Sequence, residues 1–138
     1  MGKRPVAEVV SDENVNEALK HRLDVAQRAR QFGIKTLGLP NNESYTSFYD
    51  TGKRYVTWNV VAAGEFSFDP HTWCFPIAGC VSYRGYYAEE DAKSYAIEIA
   101  EREGLDVTVT GATAYSTLGW FKDPLLNTML TRLSLIHI

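Results

Sequence analysis

Two cysteines and three histidines are all that 138 residues contain. With so few of them, a four-ligand zinc site from this chain alone is not expected. No stretch of about 18 apolar residues occurs, which rules out a membrane-spanning helix. The opening Met1-Gly2-Lys3-Arg4-Pro5-Val6 leads into charge rather than an apolar core, so it does not read as a signal peptide. Charge of one sign is nowhere dense. Residues 1–35 carry seven Lys/Arg and five Asp/Glu, and residues 36–138 carry seven and twelve, for a net charge of −3. Neither block is an electrostatic footprint for nucleic acid or lipid, so no nucleic-acid partner is expected. No internal repeat or low-complexity linker appears. With 45% hydrophobic and 22% charged residues, the composition is that of one globular domain.

The elements follow from periodicity. Pro5 starts a short helical turn with Val6, Val9 and Val10 at helical spacing. Ser11 and Asp12 offer an N-cap. Val15, Leu19, Leu23, Ala26 and then Ala29 or Phe32 make one apolar helix face, and Gly33 reads as its left-handed terminator. Lys20, His21, Arg22, Arg28 and Arg30 lie off that face and read as solvated. Leu37 to Asn42 is turn chemistry. From Arg54 the period changes to two: Tyr55, Thr57 and Asn59 alternate with Val56, Trp58 and Val60, which is a strand. Phe66 and Phe68 mark a shorter strand. Trp73 to Pro76 and Val81 to Tyr87 mark two more, separated by Ile77-Ala78-Gly79-Cys80, and the tight spacing predicts antiparallel pairing.

Glu89, Glu90 and Asp91 open a second helix, where the dipole favours them. Ala92, Tyr95 or Ala96, Ile99 and Ala100 make its buried face, and Gly104 stops it. Leu105 to Thr110 alternates as a strand. Gly111 to Gly119 is small and polar, a strand edge or a loop. Asp123-Pro124 predicts a helix start, with Leu125, Leu126, Met129, Leu130 and Leu133 continuing it. The fold class read from this is α+β: N-terminal helices, a mainly antiparallel sheet with one crossover helix, and the start of a further helix.

Candidate chemistry is sparse. His71 near Cys74 suggests a Cys/His nucleophile pair, and with it a thiol hydrolase. Cys74 sits between Trp73 and Phe75, however, and apolar burial makes a thiol inert. Cys74 and Cys80 read as two buried thiols, with a disulfide as the alternative in an oxidising compartment. The stretch Gly111-Ala112-Thr113-Ala114-Tyr115-Ser116-Thr117-Leu118-Gly119-Trp120-Phe121 lacks the spacing of a phosphate loop or a nucleophile elbow. It can take a peptide by backbone hydrogen bonds, or it can be a plain structural strand. No acid–base pair or metal cluster assembles from the residues alone.

Several blocks together resemble the putative aminopeptidase family of bacteria, taken to be zinc peptidases. They are Leu37-Gly38-Leu39-Pro40 with Ser44-Tyr45, Val56 to Val60, Trp73-Cys74-Phe75-Pro76 with Gly79 to Tyr86, and Ala114 to Phe121 with Asp123-Pro124-Leu125-Leu126. The resemblance covers roughly residues 4–132. Family members are longer and carry an N-terminal export or lipoprotein segment, which implies a periplasmic-side location. In the family the helix after Asp123-Pro124 leads to HExxH, two zinc-ligating His one turn apart with a Glu as general base. This sequence stops short of that motif, because His137 is followed only by Ile138.

What the resemblance implies is a fragment of a zinc-dependent aminopeptidase. It supplies the sheet beside a peptide substrate, has no catalytic residues or zinc of its own, and is inactive alone. By analogy Tyr115, Ser116, Thr117 and Gly119 lie nearest the substrate, with Trp120 as packing or a pocket wall. Arg84 and Glu65 are weaker candidates. A missing helix would leave one sheet face uncovered as an apolar patch. The last six residues, Leu133 to Ile138, match what a transposon end used in preparing sequencing libraries encodes in one frame. The expected organisation is therefore a partial domain over 1–132 and an adapter-encoded tail over 133–138. The competing function is a complete, non-catalytic binding or structural domain.

Overall fold

The structure is a computed structural model that describes residues 2–76, 79–117 and 119–130. The chain divides into two compact units: one joins the residues up to Arg54 with those from Ser116 onward, and the other is Tyr55–Tyr115. Helices and small sheets mix in an α+β arrangement, as the periodicity predicts.

In the first unit, β1 (Arg4–Pro5) leads directly into α1 (Val6–Ser11). Pro5 is the residue before the helix, so its missing N–H costs no helical bond. Val6 and Val9 turn inward, as expected, while Val10 stays partly exposed. The expected cap at Ser11 or Asp12 is displaced. Asp12 ends α1, and its carboxylate accepts from the Asn14 backbone (3.0 Å) and from Arg4 (2.9 Å). The N-cap of α2 (Glu17–Leu37) is Asn16, whose side chain accepts from the Ala18 N–H at 2.7 Å.

Helix α2 also runs past Gly33, contrary to its reading as a terminator. The left-handed residue is Gly38, at φ 69°, and Leu39 folds back to donate to the Gly33 carbonyl at 3.1 Å. Gly33 is instead a buried interior position whose missing Cβ makes room for Leu39, 3.0 Å from where that Cβ would stand. Two arginines read as solvated are engaged: Arg22 donates to the Leu130 carbonyl, and Arg30 to the Ser44 and Asn42 carbonyls and the Asn41 side chain.

Strand β2 (Ser47–Tyr49) lies between β1, antiparallel, and a two-residue strand at Leu125–Leu126, parallel. That second pairing overturns the expected helix from Asp123-Pro124. Leu125 and Leu126 are strand residues opposite Phe48 and Tyr49, and Asn127–Leu130 is a single 3-10 turn. Leu133 lies outside the described residues. Val6, Val9, Leu23, Phe48, Leu125 and Leu130 form this unit's core, with Val15, Leu19 and Ala26 packed on it.

The second unit is built on β3 (Thr57–Gly64), which pairs antiparallel with β6 (Arg84–Tyr86) on one side. On the other it pairs with β7 (Leu105–Ala112), without a slip over eight residues. Helix α3 (Glu89–Glu103) joins β6 to β7 with the predicted acidic first turn, and it ends at Gly104, φ 64°. Its Ala92 and Ile99 are fully buried, and Ile99 packs with Ala62 and Trp73. Burying one such side chain contributes about 1.5–3 kcal/mol.

The sheet face away from α3 pairs Asn59 with Thr110, Val61 with Thr108 and Ala63 with Asp106. It is largely polar. The Phe66–Phe68 strand is absent. Ser67 closes a turn onto the Gly64 carbonyl, Phe66 has φ 59°, and both rings are fully exposed. Two residues of alternation are too few to hold a strand against a turn.

A hairpin of β4 (Trp73–Phe75) and β5 (Gly79–Val81) completes the unit, so the strand expected over Val81 to Tyr87 is split between β5 and β6. Cys74 stands opposite Cys80 in that hairpin. The two are joined by a disulfide and both are exposed, which corrects the reading as buried thiols. A nucleophilic thiol at Cys74 goes with it. Among the described residues no helix is long and apolar enough to cross a membrane.

Candidate functional site

The loop that leaves β7 holds the residues singled out for substrate contact. Strand β7 ends at Ala112, and 114–117 continue without regular structure. Tyr115 closes the second unit, about half exposed (51%). Ser116 and Thr117 already belong to the first unit.

Within that first unit the loop is built around one carboxylate. Asp123 is buried and accepts three bonds: from the Thr117 backbone N–H (3.0 Å), the Thr117 hydroxyl (2.8 Å) and the Ser116 hydroxyl (3.3 Å). The Thr117 hydroxyl accepts in turn from the Phe121 N–H at 3.2 Å. The Thr117 carbonyl accepts from the Trp120 N–H at 3.1 Å. Gly119, at φ 86°, supplies a backbone conformation that side-chain-bearing residues rarely adopt. The main chain of Asp123 is fixed as well: its N–H donates to the Ser44 hydroxyl and its carbonyl accepts from Tyr45. Nearby, Lys122 pairs with Glu43, and Lys3 donates to the Lys122 carbonyl.

Thr117, Gly119 and Trp120 are thus brought into one loop, with Ser116 on the same carboxylate. The loop leaves the rings of Trp120 (78% exposed) and Phe121 (73%) in solvent. Leu118 lies outside the described residues. Asp123 was read from the sequence as a forward-facing helix cap, and its role is the reverse. It gathers donors six and seven residues upstream, and the signal for that was two hydroxyl residues, a glycine and an acid within eight positions.

The weaker candidates sit elsewhere. Glu65 is exposed in the turn after β3. The Arg84 guanidinium lies over the Tyr95 ring (4.4 Å to its centroid) and the Tyr86 ring (5.6 Å), so it is committed inside the second unit. Burial holds the Tyr86 phenol above its ordinary value, with Arg84 partly opposing that. His71 stands edge-on to Trp73, with Nδ1 3.9 Å from the Glu103 carboxylate. Trp73 donates its indole N–H to the Tyr95 hydroxyl at 2.8 Å.

Zinc is the metal the resemblance implies. Among the described residues no group of three or more His, Cys, Asp or Glu side chains is placed to hold an ion. The one buried carboxylate of the loop, Asp123, is engaged by hydroxyls and an amide. The described residues therefore do not fit a zinc centre. Within the first unit they offer a braced loop with two outward aromatics.

Compared with known proteins, residues 1–135 match a family model described as Putative aminopeptidase. No curated protein and no solved structure matches the chain.

Proposed function

The chain belongs to the putative aminopeptidase family, and from that premise we propose that it is part of a zinc-dependent enzyme removing N-terminal residues from peptides. On this reading it supplies the substrate side of the cleft. The HExxH helix that would hold zinc is then supplied by sequence outside these 138 residues. Tyr115, Ser116, Thr117, Gly119 and Trp120 are the proposed contacts to the peptide.

The observation that carries this reading is the hold of Asp123 on Thr117. It fixes the backbone at Thr117 within the first unit, and a fixed backbone can take a peptide by main-chain hydrogen bonds. The exposed Trp120 and Phe121 rings suit an apolar side chain of the substrate.

The test is made in the extended reading frame. It should encode HExxH beyond Arg132, and the longer protein should release N-terminal residues in a chelator-sensitive way. In it, Tyr115→Ala and Ser116→Ala should lower kcat/KM at least about tenfold. Unchanged values would remove the cleft assignment, and a natural frame ending without HExxH would leave the non-catalytic reading. The 138-residue chain alone is expected to bind no stoichiometric zinc and to cleave no peptide.

A further inference from the structure

The Cys74–Cys80 disulfide pins a hairpin whose two strands are anchored very differently. Cys74 and Cys80 are directly opposite in an antiparallel pair, and both are exposed. Strand β4 is tied down on its own account. Trp73 is buried against Ala62 and Ile99, its indole N–H is bonded to Tyr95, and the preceding His71 donates its backbone N–H to the Ala62 carbonyl at 2.8 Å. Strand β5 pairs with β4 alone, over three residues, and Gly79 and Cys80 on it are exposed. A two-stranded hairpin of that length has little stability of its own in water. The covalent link therefore adds to the short ladder as a constraint on β5, and it sits where a reductant can reach it.

We propose that Cys74–Cys80 is a reversible thiol–disulfide exchange site whose chemical partner is a dithiol, and that its reduction releases β5 while β4 and α3 stay in place. One thiolate of the dithiol attacks a sulfur of the pair. The S–S bond breaks, and the other cysteine leaves as a thiolate that takes a proton from water. The second thiol of the partner then attacks the mixed disulfide. The products are two protein thiols and the partner's disulfide, so the protein gains two hydrogens and the partner loses two. The loosened residues are Gly79–Val81, flanked by β4, where Trp73 belongs to the core, and by β6, where Arg84 stacks on Tyr95. The redox state thus sets the order of one exposed hairpin strand and spares the sheet behind it.

Dithiothreitol, added to the whole chain without denaturant, is the probe. Mass spectrometry should show a gain of two hydrogens. Amide exchange at Gly79–Val81 should accelerate at least about tenfold, with α3 and β7 unchanged. Reoxidation should restore protection. The double variant Cys74→Ser, Cys80→Ser should show the same local loosening with no reductant present. A disulfide that resists reduction until the protein unfolds would overturn the proposal. So would unchanged exchange in β5 after reduction, or loss of protection in α3 together with β5.

Discussion

The Tyr55 ring occupies the space that a side chain at Gly111 would need. A Cβ at Gly111 would stand 2.4 Å from two carbons of that ring and 2.6 Å from a third. Gly111 is directly opposite Trp58 in the β3–β7 ladder, and Tyr55 lies edge-on to Trp58 with ring centroids 5.0 Å apart. The contact falls at the root of the ring, so turning the tip of a flexible side chain does not relieve it. Gly111→Ala should therefore destabilise the chain by about 1–3 kcal/mol, the range for overpacking. Urea unfolding measures this, and Tyr55→Ala in the same chain should recover part of the loss. Additive losses in the double variant would mean that the two positions do not meet.

Trp73 and Tyr95 share the one hydrogen bond that joins the β4 hairpin to α3 side chain to side chain among the described residues. Tyr95→Phe keeps the ring and removes the acceptor of the indole N–H. A largely buried donor left without its partner costs about 1–3 kcal/mol. The unfolding free energy should drop by that amount and the midpoint fall with it, and the fluorescence of Trp73 should change in the folded state. A midpoint equal to the parent's would show that water replaces the phenol without cost.

Local pattern carries most of the second unit. The alternation of Leu105 to Thr110, the acidic start at Glu89 and the stop at Gly104 all act within a few residues, and each is where the sequence places it. One kind of failure is a position where a distant partner outbids a local signal. Asp123-Pro124 has the chemistry of a helix start, yet Leu125 and Leu126 pair with Phe48 and Tyr49 from the other end of the chain. The Asp123 carboxylate turns back to Thr117. The family membership was legible in the long blocks around Trp73 and Tyr115. The order imposed by Asp123 on the candidate loop was legible only as two hydroxyl residues, a glycine and an acid within eight positions, a pattern that does not say which way the carboxylate faces.

The two glycines of α2 should respond with opposite signs. Gly38 has φ 69° with open space at its Cβ position, so Gly38→Ala is strained by backbone alone and should cost about 1 kcal/mol. Gly33 is helical, and alanine there gains up to about 1 kcal/mol of helix propensity. Its only close neighbour is the end of Leu39, a flexible side chain that is 56% exposed and free to shift. Gly33→Ala should be neutral or stabilising, as read by thermal unfolding. Equal losses at both positions would return Gly33 to the role of helix terminator.

Asp12 gives the acid limb of stability a specific contributor. Its carboxyl is held below the ordinary value, first by the Asn14 backbone N–H and then by the Arg4 side chain. A carboxyl with a lower pKa folded than unfolded adds stability at pH above its unfolded value, near 4. That contribution is lost as pH falls through the folded value. The parent chain should therefore lose more stability than Asp12→Asn on acidification from about pH 5 to pH 2. Parallel pH profiles for the two proteins would show that the pairing with Asn14 and Arg4 is not held in solution.

Asp123→Ala tests whether the candidate loop is braced by that carboxylate or merely adjacent to it. The substitution removes the carboxylate that accepts from the Thr117 N–H and from the Ser116 and Thr117 hydroxyls, although the Thr117 hydroxyl keeps the Phe121 carbonyl within 3.2 Å, and hydrogen bonds to a charged group are worth about 1.5–3 kcal/mol each at most. The main-chain bonds from Asp123 to Ser44 and from Tyr45 to Asp123 do not need the side chain, so the short β2 sheet should persist. The expected signature is thus local. Exchange at Thr117 and Phe121 should rise by about tenfold or more, while α2 keeps its protection. Asp123→Asn retains one acceptor oxygen and should fall between the two. If Thr117 exchanges at the parent rate in Asp123→Ala, the loop is held by other contacts, and the rigid approach argued for the peptide loses its physical basis.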